Sequence, residues 1–251
     1  MKQSMQPIGA KKTALVTGAG KRIGRAIALT LADNGFSIIV HYHTSKSETD
    51  DVCREISLRN VDAWSIKADL SKPRDLESCI DKALTCSENL SVLVNNASIF
   101  PSATLSSVTR NDFELAMRIN AWAPLCLSRS FAQKAVHHGS IVNILDARLP
   151  SHDRYHVAYS LSKAALQHAT RMCALEFAPH IRVNGVAPGL ILPPAGKNMA
   201  YLKKLKDKVP LRTYGKPQDI ADAVVFLVKS DFITGEIIHV DGGRHSLGYP
   251  V

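Results

Sequence analysis

The sequence predicts an α/β fold: a doubly wound parallel sheet of about seven strands with helices on both faces. Two observations predict it. Short runs rich in Val, Ile and Leu alternate with longer segments of helical period along the whole chain. Those short runs are near-continuously apolar, as strands covered by helices on both faces must be. The strands are read as Thr13–Thr17, Ser37–His43, Asp62–Ala68, Ser91–Asn95, Ser140–Leu145, Ile181–Ala187 and Glu236–Val240. The helices between them are read as Ile23–Asn34, Ser47–Arg59, Pro73–Ser87, Asp112–His137, Tyr155–Phe177 and Pro217–Lys229. No linker rich in Pro, Gly and Ser divides the chain, so residues 13–251 are expected to form one domain after a flexible lead over residues 1–12. The stretch from Leu190 to Tyr214 interrupts the alternation with Pro193, Pro194 and Gly196. It lies beyond a strand's C-terminal end, where open α/β sheets bind ligands, and is a candidate substrate loop.

Composition excludes several classes. The chain has 251 residues, 45% hydrophobic and 21% charged, which is an ordinary globular balance. Five cysteines, Cys53, Cys79, Cys86, Cys126 and Cys173, form neither a disulfide framework nor a CxxC zinc pattern. Reduced thiols in a cytoplasmic protein are expected. No apolar run is long enough to span a membrane, and the N-terminus lacks the apolar stretch of a secretory signal. The net charge of +9 carries no nucleic-acid motif. Its one basic run, Lys203, Lys204, Lys206 and Lys208, reads as a solvated helix face. His152 and His156 have a metal-chelating spacing but no third ligand, so no metal is expected, and the pair reads as solvent-facing near the site's mouth.

Thr17-Gly18-Ala19-Gly20-Lys21-Arg22-Ile23-Gly24 joins the first strand to the first helix. Glycines there let backbone N–H groups approach a pyrophosphate at a helix N-terminus. The second strand ends in His41-Tyr42-His43-Thr44-Ser45-Lys46 and lacks the carboxylate that binds an NAD ribose. Hydroxyls and cations suit a 2′-phosphate, so the expected cofactor is NADPH, with Arg22 in the facing turn. Tyr159 and Lys163, four apart, share a helix face. A nearby ammonium favours phenolate, which would lower the Tyr159 pKa and tune it for proton transfer.

The glycine turn, Asp69-Leu70, Asn95-Asn96-Ala97, Asn120, the Tyr159/Lys163 pair and Pro188-Gly189 follow one another in this order. The pattern resembles the short-chain dehydrogenase/reductase family from Thr13 to Gly243. That resemblance implies a Rossmann-type domain, hydride transfer with a nicotinamide cofactor and a homotetramer. It makes Gly18, Arg22, Ile23, Gly24, His41, Tyr42, His43, Thr44, Ser45, Asp69, Leu70, Asn96, Ala97, Ser98, Lys163, Pro188, Gly189 and Leu190 the cofactor-binding set. Lys163 would hold the nicotinamide ribose, Asn120 would position a water in a proton relay, and Asp69 would contact the adenine.

Two departures narrow the resemblance. The family turn is TGxxxGxG, but its middle glycine is Arg22. Most members carry Ser 13 residues before the Tyr, where this chain has Asp146. A Ser can only orient a carbonyl, whereas an Asp can accept a ring N–H or relay a proton. Both departures resemble the pteridine reductase subgroup, as do His41-Tyr42-His43 and Asn95 through Phe100. The subgroup's Arg after His-Tyr-His is Thr44 here, so the 2′-phosphate must be held by other groups. The resemblance implies reduction of a dihydropterin or dihydrofolate at a ring C=N bond. Asp146, Tyr159, Lys163 and Asn120 would be catalytic, and Ser98, Phe100, Asp146 and Tyr159 would meet the substrate, with Phe100 stacking on the pterin. The alternatives are a 3-oxoacyl thioester or other carbonyl reductase and, less favoured, a non-catalytic NADP-binding protein.

Overall fold

The computed structural model describes residues 11–135, 138–148, 153–194 and 196–247. The N-terminal lead, the end of the helix read to His137, and His152 fall wholly or mainly outside them. Seven strands form one parallel sheet: β1 (Thr13–Val16), β2 (Ser37–Tyr42), β3 (Ala63–Lys67), β4 (Leu90–Asn95), β5 (Gly139–Ile144), β6 (Ile181–Pro188) and β7 (Ile237–Val240). Their spatial order is β3-β2-β1-β4-β5-β6-β7. The order reverses between β1 and β4, where a doubly wound sheet opens its ligand crevice.

Among the described residues, eight α-helices flank the sheet: α1 (Arg22–Asp33), α2 (Lys46–Ser57), α3 (Pro73–Cys86), α4 (Arg110–Met117), α5 (Ala123–Lys134), α6 (Val157–Glu176), α7 (Met199–Leu205) and α8 (Pro217–Lys229). Alternate strand residues feed two cores. Val16, Val40, Val94, Val142 and Val186 pack with α1 and α8 residues such as Ile27 and Val224. Leu15, Ile39, Leu93, Ile141 and Val183 pack on the other face with Ile80 and Phe131. Strands buried on both faces explain the unbroken apolar runs.

Two elements differ from the sequence reading. The helix read over Asp112–His137 is α4 and α5 joined by a π-helical segment, Arg118–Trp122. Its wider turn carries Asn120 fully into the interior, and such bulges concentrate at functional sites. The interruption after Leu190 contains a real helix, α7, with Asn198 accepting from Ala200 N at its start. Leu202 is buried there while Lys203 and Lys204 face outward, so seven residues hide one apolar side chain. That is too little periodicity to be legible.

Candidate active site

The phosphate turn is built by packing as much as by glycine. Gly18 has φ +63° and Gly24 lies against it, so that a methyl at Gly24 would collide with the Gly18 carbonyl oxygen and lie 2.5 Å from Asn96 Nδ2. Asn96 braces the turn by donating to Thr17 O at 2.8 Å and Gly18 O at 3.2 Å. Thr17 Oγ1 in turn accepts from Ala97 N at 3.0 Å. Gly24→Ala is therefore expected to abolish cofactor binding, measured by NADPH fluorescence titration. Normal affinity in that variant would mean the turn does not approach the cofactor.

His41 supports the turn from beneath and does not face a ligand. It is 2% exposed. Its Nδ1 accepts from Gly18 N at 3.1 Å, which leaves Nε2 to donate to Ala68 O at 3.1 Å. Burial pushes its pKa down to about 4, against the pull of the Ala68 carbonyl. Tyr42 and Leu70 are likewise buried, with Leu70 in the core under α3. All three are expected cofactor-binding residues; the His41 side chain bonds the Gly18 backbone, and those of Tyr42 and Leu70 are buried.

Arg22 also departs from expectation. Its φ is +56°, the left-handed geometry that suits the family's glycine. Its guanidinium donates to Pro193 O at 2.6 Å, tying the turn to the substrate loop. Lys21 pairs with Glu48 and Lys46 with Asp50. The end of β2 leaves His43 and Thr44 exposed and Ser45 half-buried. His43 Nε2 lies 3.6 Å from Asp69, whose Oδ1 accepts from Ser71 Oγ at 2.7 Å. Asp69 is held below the usual carboxylate range by those Ser71 bonds and by His43 and Lys72, against desolvation. Bare Gly20 lies against Ser45 Oγ and Thr49 Oγ1, and the buried Thr49 hydroxyl has no partner among the described residues. Hydroxyls and N–H donors with no carboxylate at the strand end fit a phosphorylated ribose.

Asp146 follows β5, two residues beyond Ile144. Tyr159 Oη donates to its Oδ2 at 2.8 Å. Arg148 holds the other side, with N and Nε donating to Oδ1 at 2.8 and 3.2 Å and Nη2 to Oδ2 at 3.1 Å. Arg148 also reaches Asp153, and Asp153 pairs with His156 Nδ1 at 2.8 Å. Burial works to raise the Asp146 pKa, but the charge and hydrogen bonds of Arg148 outweigh it and hold the carboxyl below its usual range.

The Tyr159 phenol moves the opposite way from expectation. Burial, then the Asp146 charge and hydrogen bond, raise it well above its ordinary value. Lys163 does not counter this, because its Nζ donates to Ile144 O at 2.7 Å and lies 5.9 Å from the Tyr159 ring centre. Burial pushes the Lys163 ammonium down to about 8, against the attraction of Asp146. Lys163 is anchored to the end of β5, and Asp146 is the group that controls Tyr159.

Phe100 is brought to this cluster by a short ladder. Ala103 N donates to Tyr155 O at 2.8 Å and Val157 N to Ala103 O at 3.1 Å, stapling the loop after β4 to the start of α6. Phe100 stands edge-on to Tyr159 at 4.5 Å. It stacks on His156 at 3.9 Å with an 18° tilt, and Arg148 lies 5.3 Å from its centre. The half-exposed ring therefore already has a partner in His156, a residue read from the sequence as solvent-facing.

Asn120 clamps the same loop. Its Oδ1 accepts from Ser98 Oγ at 3.0 Å and Ile99 N at 2.9 Å, and its Nδ2 donates to Ile99 O and Ser162 Oγ, both at 3.0 Å. Every polar atom of the amide is engaged by protein, so it positions the Ser98–Phe100 loop and has none left over to order a water. Pro188 ends β6, and Gly189 passes so close to Asp241 that a Cβ would lie 2.5 Å from its Cα. Leu190 O accepts from Gly215 N at 2.9 Å, closing the base of the substrate loop. Ile23 packs its side chain against the core. Among the described residues no cluster of His, Cys, Asp and Glu could hold a metal. No helix there is long and apolar enough to cross a membrane.

A family model described as enoyl-(acyl carrier protein) reductase matches residues 18–245. The chain belongs to the short-chain dehydrogenase/reductase family. The FolM alternative dihydrofolate reductase 1 of Brucella suis, solved with NADP, superposes with a TM-score of 0.90 at 30% identity, covering 96% of this chain and 97% of that one. A blue fluorescent protein from a metagenomic library, solved with NADPH, superposes at 0.86 with 32% identity over 93% and 97% of the two chains. The 3-oxoacyl-[acyl-carrier-protein] reductase FabG of Staphylococcus epidermidis is 32% identical over 243 residues, 93% of this chain and 99% of its own. In this short-chain reductase chain Tyr159 and Lys163 lie on α6 and Asp146 follows β5.

Proposed function

We propose that this protein is an NADPH-dependent reductase of pterins, converting a dihydropterin or dihydrofolate to its tetrahydro form. The observation that carries the reading is the 2.8 Å bond from Tyr159 Oη to Asp146, beside Phe100. A carbonyl substrate needs one neutral donor to its oxygen, which Ser with Tyr provides. A ring C=N needs a proton on nitrogen and a grip on ring N–H groups, for which a carboxylate is suited. The likeness to FolM structures supports the same reading.

Bound NADPH supplies the hydride to the ring carbon. The backbone of Gly18 to Gly24 would hold its pyrophosphate, and Ser45, Thr44 and His43 its 2′-phosphate. Asp69 would hold the adenine and Lys163 the nicotinamide ribose. Asn96, Ala97, Ser98, Pro188, Gly189 and Leu190 complete the wall. The chain's own task is the proton. A proton arriving at Asp146 passes to Tyr159 Oη as the Tyr159 proton passes to the ring nitrogen, so that C=N plus hydride plus proton gives CH–NH. Phe100 offers the substrate its exposed ring surface for stacking. Orientation by Phe100 and the substrate loop brings the ring to reacting distance.

Arg148 keeps Asp146 ionised between turnovers. Removing it in Arg148→Met leaves burial dominant, so the Asp146 pKa rises. The Asp146 carboxyl then holds its proton to higher pH, so the fall of kcat/KM with rising pH moves upward. An unshifted profile would take Asp146 out of the relay.

Purified protein with NADPH is expected to turn over dihydrobiopterin, dihydromonapterin or dihydrofolate and to leave an acetoacetyl thioester unreduced. The second reading, a 3-oxoacyl thioester reductase, is favoured by the FabG relatives. Reduction of the thioester alone would establish it. The assembly is proposed to be a cytoplasmic homotetramer.

A further inference from the structure

Asp241 follows β7 at the same sheet edge as Asp146, which follows β5 two strands away. Asp241 is buried against Gly189 and accepts from Gly243 N at 3.0 Å and His245 N at 2.6 Å. The two glycines after it lie flat on the substrate loop. A methyl would come within 2.7 Å of Val209 at Gly242 and 3.0 Å of Pro210 at Gly243. Leu211 N donates to Gly242 O at 3.2 Å. Arg244 opens the 3₁₀ turn that follows, Arg244–Leu247, so its backbone is set between the end of β6 and the substrate loop.

Arg244 is half-buried, and its side chain forms no hydrogen bond or ion pair among the described residues. Asp146, Asp153, Arg148 and Tyr201 are the ionisable groups whose charge it feels. Both carboxylates are already engaged, Asp146 by Arg148 and Tyr159 and Asp153 by Arg148 and His156. Burial and then the Arg148 charge push the Arg244 guanidinium down from its ordinary value, against the pull of Asp146, Tyr201 and Asp153. A partly desolvated, unpaired guanidinium is costly, and a carboxylate or phosphate meets it with two parallel bonds. The loop beneath the turn has the same sign. From Leu190 to Tyr214 it carries Lys197, Lys203, Lys204, Lys206, Lys208 and Arg212 against the one carboxylate of Asp207. Such one-sided charge raises the local concentration of an anionic ligand.

We propose that Arg244 determines specificity by binding an anionic group, carboxylate or phosphate, on the side chain of the reduced pterin. The inference rests on pterin reduction at Asp146 and Tyr159 and adds that the preferred substrate has a charged tail. A dihydropterin with a neutral polyol chain gives the guanidinium no charge to meet. Arg244 holds a part of the substrate that does not react, so its bond is alike in the ground and transition states. It therefore lowers KM and leaves kcat where it is.

Steady-state kinetics with NADPH and three substrates test this. Dihydrobiopterin has a neutral chain, dihydrofolate carries carboxylates and dihydroneopterin phosphate carries a phosphate monoester. In Arg244→Gln the KM of at least one anionic substrate is expected to rise about tenfold relative to that of dihydrobiopterin, with its kcat held. Arg244→Lys, which keeps the charge, should recover part of the loss. The substrate that responds identifies the group as carboxylate or phosphate. In the wild type its KM should rise with ionic strength more steeply than that of dihydrobiopterin, which decides the matter if Arg244→Gln fails to fold. Equal KM changes for charged and neutral substrates in Arg244→Gln, or, should it not fold, equal salt dependence, would overturn the role of Arg244 and leave pterin reduction standing. Failure of all three substrates to turn over would overturn pterin reduction, and this inference with it.

Discussion

Asp146→Asn lowers dihydropterin turnover by about two to four orders of magnitude, the usual worth of a positioned proton donor. Asparagine keeps the shape and can still accept from Tyr159, so the bond at 2.8 Å and the ring of contacts around Phe100 should survive. What it cannot do is take up and release a proton. NADPH affinity should hold, because Asp146 follows β5 and the phosphate turn follows β1. Arg148 loses one of its two carboxylates but retains Asp153. Steady-state rates with a dihydropterin, beside cofactor titration and a melting curve, separate lost chemistry from lost fold. Wild-type turnover in this variant would remove Asp146 from the mechanism. Asp146→Ser is the companion test, since it restores the residue most of the family carries and should not recover pterin reduction.

Stability is expected to fall by about 3 kcal/mol between pH 7 and pH 4 through His41 alone. The sign follows from its depressed pKa, about 4 in the folded protein against 6.5 for an ordinary His. Between those values the unfolded chain binds a proton that the folded chain refuses. The contribution is thus fully present above pH 6.5 and is lost as pH falls toward 4, at about 1.4 kcal/mol per unit. The physical cause is local. Nδ1 already accepts from Gly18 N and Nε2 already donates to Ala68 O, and the ring is buried. Protonation breaks the bond to Gly18 and frees the turn on which the cofactor would rest. Urea unfolding of wild type and His41→Gln at several pH values tests this by difference, because other groups titrate equally in both. Parallel slopes would show that His41 does not carry the loss.

Much of this was written in the residue order. Apolar runs covered on both faces fixed seven strands, and each agrees with its observed span to within a residue or so. Because strands in such a sheet run parallel, every turn residue after a strand belongs to the same edge. That alone gathers Gly18, Asn96, Asp146 and Gly189 without any knowledge of packing. Residue type then supplied the chemistry, most sharply in Asp146, where one substitution for Ser changes what the site can protonate.

The side-chain partnerships were decided by tertiary structure. Arg22 reaches a carbonyl at residue 193, and Lys163 is held by Ile144 O. His41 turned inward because the strand's alternation and the depth of the turn leave it nowhere else to bond. Arg148 and Asp153 gave no signal in the sequence, and His156 showed only its spacing from His152, since such residues are ordinary until an ion pair gives them direction. Local period and composition are properties of a few neighbouring residues and can be read along the chain. The pKa values and the charge network depend on which groups from distant segments are buried together, and only the folded chain brings them to one place.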